Sequence, residues 1–312
     1  MKKKYGMVII TAAVLFALVT SYVAWNRVDP DFSCALCHEI RSSCVSWKGS
    51  AHAGISCMEC HGTALSNGFT SLSEKARMVY VHFTQRKTNE DLYLGESQAL
   101  VIAGKCAQCH QAEHAAWQSG AHSTTYRDIF MDVEHNEMER PYWDCFRCHG
   151  AHYDGNIHDL MSLEGDVKSW EIRDKKQADR PAITCLSCHQ MHGDQDKRVE
   201  YASLDKGERD SLMQKTERSS TALYMRTERR HLPSDKLLKP TIHGGDSLVK
   251  VSDDPNTWLC MQCHSPNNRR EIGTQDDKTP TGIYEGMSCL DCHNPHSNRL
   301  KNEYKKVHIP KP

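Results

Sequence analysis

Residues 32–62 read FSCALCHEIRSSCVSWKGSAHAGISCMECHG. The pattern Cys-x-x-Cys-His stands there twice, as Cys34, Cys37 and His38 and again as Cys57, Cys60 and His61. Five further copies follow: Cys106, Cys109, His110; Cys145, Cys148, His149; Cys185, Cys188, His189; Cys260, Cys263, His264; and Cys289, Cys292, His293. The seven copies, called sites one to seven below, use fourteen of the 15 cysteines and leave out only Cys44. This is the attachment signature of c-type haem. Two thiols at that spacing form thioethers to the two vinyl groups on one edge of a porphyrin, and the adjacent histidine reaches under the ring to the iron. A zinc ribbon needs two cysteine knuckles per metal and no histidine immediately after the second cysteine. A redox dithiol needs one copy, and a disulfide framework has no reason to repeat one pentapeptide. The expected cofactors are seven covalently bound haem c groups, each holding iron.

The chain opens MKKKYGMVIITAAVLFALVTSYVAW. Lys2, Lys3 and Lys4 precede an uncharged run from Met7 to Trp25. As a helix this run spans about 28 Å, close to the hydrocarbon thickness of a bilayer. Tyr5, Tyr22 and Trp25 fall near its ends, where amphipathic rings prefer the interface. The lysines are expected on the cytoplasmic side, with everything after Trp25 exported. A cleaved signal peptide is the alternative, but Tyr22 makes a poor small-x-small cleavage site. The expected location is the inner (cytoplasmic) membrane, with the bulk of the chain in the periplasm, where haem attachment takes place outside the reducing cytosol.

Apolar residues make up only 38% of the chain, phenylalanine occurs six times and histidine 19 times. Side chains alone would build a thin core, so the haems are expected to supply it. The segment 71–87, SLSEKARMVYVHFTQRK, carries a capping box at Ser71 and Glu74 and an apolar stripe at helical spacing. The charged stretch between sites five and six, running to TALYMRTERR, reads as helix-prone and solvated. No alternating strand runs stand out. The expected fold is mainly α with little regular structure: a multihaem cytochrome c fold with one N-terminal transmembrane helix and a haem-packed core. Net charge is −1 before any haem propionate is counted, which argues against nucleic acid as a partner and favours basic ones.

Each haem iron has a second axial position, and twelve histidines lie outside the motifs. His152, His192 and His296 each stand three residues after a motif histidine, in CHGAH, CHQMH and CHNPH. So close to one site, such a histidine is expected to ligate a neighbouring haem. His52 and His122 each follow a tryptophan by five residues, in WKGSAH and WQSGAH, and His243 lies in TIHGG. These six are the expected distal ligands. For the seventh, His82, His135, His158 and His231 compete, and His82 and His135 are kept as candidates. An iron with imidazole on both faces exchanges electrons and binds no substrate, so no catalytic residue is expected.

The opening through CALCHEI…SWKGSAHAGISCMECHG, about residues 5–85, resembles the membrane-anchored quinol dehydrogenases of the NapC/NirT/NrfH type. The resemblance implies that Cys34, Cys37 and His38 hold the entry haem and that electrons pass from membrane quinol outward. Ile40 stands where some members of that family carry a ligating methionine. Independently, eight residues separate Trp25 from Cys34, at most about 28 Å of extended chain, which keeps site one near the membrane. Beyond His110 the chain is similar to longer multihaem cytochromes, some of which work beside a membrane cytochrome b. The expected organisation is an anchor over 1–27 and a periplasmic seven-haem domain over 28–312, NapC/NrfH-like to residue 100. The expected partners are the membrane, a quinol-oxidising subunit such as a cytochrome b, a periplasmic cytochrome and quinol itself. The expected function is electron transfer from the quinol pool to an outside acceptor in anaerobic respiration, with sites six and seven as exit candidates. The alternative is a terminal reductase of small nitrogen or sulfur oxyanions.

Overall fold

Helix α1, Lys2–Arg27, is built from the uncharged N-terminal run. Its span Tyr5–Ala24 is 20 residues long with a mean hydropathy of 2.3, and its apolar side chains are exposed. It is long and apolar enough to cross a membrane, a property that signal sequences share. The structure is a computed structural model of the chain. It describes residues 2–27, 43–44, 46–48, 50–61, 80, 83–84, 95–192, 221–244, 246–264, 284–297 and 299–300. Site one, His82 and nearly all of the segment 71–87 lie outside the described residues, as do residues 193–220.

The chain divides into two units: Met1–Glu90 with Met191–Arg218, and Asp91–Gln190 with Ser219–Pro312. In the first, a turn over 50–55 leads into the short helix α2, Cys57–His61. The Trp47 indole donates to the Ile55 carbonyl at 3.0 Å and fixes the approach to this helix.

The second unit begins with α3, Glu96–Cys109, and α4, Gln111–Gln118. An excursion over 124–182 then carries α5 (Tyr126–Phe130), α6 (Val133–Met138), α7 (Cys145–Cys148) and α8 (Ile157–Leu160), followed by β1 (Met161–Ser162) paired with β2 (Glu171–Ile172). Three of these helices start at side-chain caps. Thr125 accepts from the Asp128 amide, Asp132 from His135, and Asn156 from His158 and Asp159. The excursion closes on itself, since the Tyr126 amide donates to Arg180 at 3.0 Å and the Ala182 amide to Thr124 at 3.1 Å.

Inside the excursion lies a core made of protein. Tyr126, Phe130, Phe146, Tyr153, Ile157, Leu160, Met161, Trp170 and Ile172 pack together, with Phe146, Leu160 and Met161 fully buried. Burying side chains of this size contributes about 1.5–3 kcal/mol each. A thin, side-chain-poor interior was expected from composition. Composition misleads because the few aromatics are concentrated: Tyr126, Phe130, Phe146 and Tyr153 pack ring against ring at centre distances of 4.9–6.1 Å. The Tyr126 hydroxyl donates to Glu96 at 2.9 Å, and the Gln177 amide donates to the same carboxylate oxygen. Burial pushes the pKa of Glu96 up, although Tyr126, Arg180 and Gln177 oppose the shift.

Four two-stranded antiparallel ladders are present among the described residues, where no strand was expected. The clearest is β3 (Ala222–Met225) with β4 (Arg230–Pro233), in the segment read as helix-prone. Alternation decides it: Ala222 and Tyr224 are buried, while Leu223 and Met225 are partly exposed. The turn places Arg229 at φ 51°, a left-handed position. Two further ladders and three helices complete the unit: α9 (Cys185–Cys188), β5 (Ile242–Gly244) with β6 (Ser247–Val249), α10 (Pro255–Cys260), α11 (Cys289–Cys292), and β7 (His293–Asn294) with β8 (Arg299–Leu300).

Candidate haem-attachment sites

Sites two, four, five and seven each fold as a short helical turn, site three is the last turn of α3, and site six is a turn at the end of the helix Pro255–Cys260; the reason is local. The residue before the first cysteine is often a cap: Ser56 accepts from Met58, and Ser288 accepts from Leu290 while Asp291 accepts from Ser288. Thr184 holds the same place at site five, where its amide donates to Ser187. A helical turn sets the two cysteines three residues apart on one face. The histidine amide then closes the turn onto the first cysteine carbonyl, at 2.8 Å for His110 and His149 and 2.9 Å for His189 and His264. Thiols and imidazole are thereby presented from one short rigid piece.

Three motif histidines face a second imidazole. His61 and His192 lie with ring centres 5.8 Å apart and planes within 19° of parallel. His189 and His296 do so at 6.2 Å and 15°. His264 and His122 lie 6.0 Å apart, tilted by 54°. An imidazole nitrogen bonds a metal at about 2 Å and lies roughly 1 Å from its own ring centre, so two imidazoles on opposite faces of one metal put their centres about 6 Å apart. These residues therefore fit a haem iron held from both sides. Among the described residues no three His, Cys, Asp or Glu side chains converge as a zinc site would require.

His135 lies close enough to His149 to influence its charge. Burial first, then His135 and His264, bring the His149 imidazole down to about 4, so it is neutral at physiological pH. Burial likewise lowers His122, with His264 and His296 adding to the effect and the Pro295 carbonyl, 3.1 Å from its Nδ1, opposing it. A neutral imidazole is the form that ligates metal.

His152 is placed differently. It is buried, stacks on Tyr224 at 4.0 Å, and neither ring nitrogen has a hydrogen-bond partner. Burial brings it down to about 4. His231 lies edge-on to Tyr224, with Nε2 2.7 Å from the Leu186 carbonyl of site five. His52 is in the turn after Trp47, His158 is exposed on α8, and His243 is exposed on β5 opposite Leu248.

Cysteines of different motifs meet. The free thiols of Cys106 in site three and Cys185 in site five share a hydrogen bond, which raises the first and, chiefly through this contact, brings the second down to about 7. Cys260 and Cys289 join sites six and seven in the same way, with Cys289 brought down to about 7. Cys263 of site six shares a thiol hydrogen bond with Cys148 of site four.

The tryptophans were singled out in the sequence only as markers of His52 and His122. Their indoles matter in their own right. Trp117 donates to the Ile183 carbonyl at 3.2 Å, as Trp47 does to Ile55. Both isoleucines stand two residues before a motif cysteine, in ISC and ITC, so each indole latches the approach to an attachment site.

A family profile described as outer membrane cytochrome MtrC/MtrF-like, domains II/IV, matches residues 26–202, more than half of the chain. The chain belongs to this MtrC/MtrF-like cytochrome family. It is a multihaem c-type cytochrome, and its work is electron transfer. The matched residues include sites one to five and overlap the N-terminal stretch that resembles the NapC/NirT/NrfH type; the family found is the MtrC/MtrF-like one. No curated protein and no solved structure matches the chain.

Proposed function

We propose that the chain is a seven-haem electron relay between the quinol pool of the inner membrane and an acceptor outside the cell or in the periplasm. The observation that carries the reading is the threefold recurrence of a motif imidazole facing a second imidazole near 6 Å. In this reading the fourteen motif cysteines anchor seven haems and the motif histidines ligate them. His192 completes site two, His296 site five, His122 site six and His135 site four. His52, His82, His152 and His243 remain candidates for the other sites. When bound, the haem iron supplies a one-electron couple. Burial holds the His122, His149 and His152 imidazoles neutral, and helical turns set the motif histidines beside their cysteines.

The name of the matched family, an outer membrane cytochrome, supports an extracellular acceptor. The quinol end is supported by the N-terminal resemblance and by the short tether between Trp25 and Cys34. On this view residues 1–27 are an uncleaved anchor, residues 28–312 form the exported haem domain, and a quinol-oxidising cytochrome b or a periplasmic cytochrome is a redox partner.

The mass of the mature chain should exceed its polypeptide mass by seven haems, and a quinol analogue should reduce the purified protein promptly, followed at the reduced α-band. A chain of polypeptide mass alone would refute the relay. A fully loaded chain that quinol cannot reduce would refute the direct quinol step.

A further inference from the structure

The contacts among motifs in the second unit do not follow chain order. Site three meets site five through Cys106 and Cys185, and site five meets the flank of site seven through His189 and His296. Site seven meets site six, where the Cys289 amide donates to Thr257 Oγ1 at 3.1 Å and the Cys289 thiol is hydrogen-bonded to that of Cys260. Site six meets site four through Cys263 and Cys148, and through Arg147 to the Gln262 carbonyl at 3.1 Å. Site five also lies close to site six, where Cys188 acts on Cys260 and Cys263, so site four stands at an edge of this network and joins it through site six.

An apolar surface lies at that edge. Val133 and Met138, 36% and 48% exposed, flank His135 on α6. Tyr142 and Trp143, 36% and 62% exposed, lead into Cys145, and the Tyr142 amide lies 3.5 Å from the Cys145 sulfur. The rim is acidic. Asp132, Glu134 and Glu137 are exposed on and before α6, and Glu164 and Asp166 are exposed beside the short 3-10 turn that packs against it. Lys168 is the exposed cation of that turn. Two nearby arginines are engaged elsewhere. Arg140 donates to the Leu163 carbonyl at 2.7 Å and lies over Trp170, while Arg147 is tied to Gln262 and Asp144.

We propose that this acid-rimmed apolar patch is the docking surface for a small basic electron-carrier protein that exchanges single electrons with site four. In each encounter one iron is oxidised and the other reduced, and no atom is transferred. The inference rests on the relay reading above. Small apolar contacts suit transient redox complexes, and the surrounding charge raises the encounter rate and selects partners of opposite sign.

The test uses the full haem-loaded chain in detergent, with a small lysine-rich cytochrome c as probe and an acidic flavodoxin as control. Binding is read by surface plasmon resonance at low salt and at roughly 0.3 M salt, where exposed charges are largely screened. The expected result is that Glu134→Lys with Glu137→Lys weakens binding of the basic probe about tenfold or more at low salt, and that high salt does the same to the native chain. Trp143→Ser should weaken binding at both salt concentrations. The proposal fails if the charge reversal leaves affinity within about twofold, or if flavodoxin binds as tightly as the basic probe. Each variant's haem spectrum is recorded first. A chain without haem would sink the relay reading, whereas a loaded chain indifferent to the charge reversal would sink only the docking surface.

Discussion

Arg147 lies between the cysteines of the fourth motif, and its guanidinium donates to the carbonyl of Gln262, between the cysteines of the sixth, at 3.1 Å. The two residues are 115 positions apart. Attachment sites distant in the chain are thus stitched together at their own variable positions, and the x-x of each motif does structural work of its own. Electron exchange between neighbouring sites depends on such closeness, which chain spacing does not reveal.

Replacing His296 by methionine tests the pairing with His189. A thioether in place of an imidazole raises the potential of a c-type iron. One haem should move upward by on the order of 0.1–0.3 V, within the roughly 0.8 V over which axial ligands tune haem, and the others should stay near their native potentials. Spectroelectrochemical titration of the loaded variant reads this directly. An unchanged titration would remove His296 from the ligand set.

Trp117→Phe keeps the ring and deletes the donor to Ile183. Losing one partly buried hydrogen bond costs about 0.5–1.5 kcal/mol. Thermal unfolding should shift down accordingly while haem content stays constant, because no ligand is touched.

Leu160→Ala opens a cavity in the side-chain core of the excursion. A fully buried leucine truncated to alanine costs about 2–5 kcal/mol. A calorimetric scan that showed no loss would mean that this cluster adds little to stability and that the cofactors carry the interior alone.

Glu96 gives the structure a pH dependence of known sign. Its folded pKa lies above the ordinary 4.5, so the native state retains a proton that the unfolded chain releases. That contribution is fully present below about pH 4.5 and is lost as pH rises through the folded value. Glu96→Gln leaves an oxygen to accept from Tyr126 and carries no charge. Relative to the native chain, the variant should gain stability as pH rises above 4.5 and then level off. Melting temperatures across that range measure the difference, and a pH-independent gap would contradict the assignment.

The attachment motifs were legible because their chemistry is contiguous in sequence, with two thiols and an imidazole within five residues. Histidines at a motif's +3 position were expected to face a neighbouring site, since three residues are too few to cross to the far face of the same haem. His192 and His296 do face motif histidines from other sites. His152, with the same spacing, packs on Tyr224 instead, because the hairpin of Ala222–Met225 lays a ring against it. That hairpin was hidden by arginines and a glutamate whose propensity suggests helix, and only the alternate burial of Ala222 and Tyr224 distinguishes it. The aromatic core was hidden for another reason. Whole-chain composition averages over a local concentration, and Tyr126, Phe130, Phe146 and Tyr153 stand within 28 consecutive residues.

The two tryptophan latches differ in what they enclose. Trp47 reaches a carbonyl eight residues on, whereas Trp117 reaches one 66 residues on. Nearly all of that difference is the stretch from 124 to 182, which starts and finishes at one spot and keeps an interior of its own. A segment whose two ends meet can enter or leave a chain without redirecting the backbone on either side, although contacts such as Arg147 to Gln262 and Tyr126 to Glu96 go with it. Site four and its aromatic bed therefore have the build of a cartridge set into a simpler carrier, and a shortened polypeptide rejoined at 123 and 183 would be the natural place to look for that carrier.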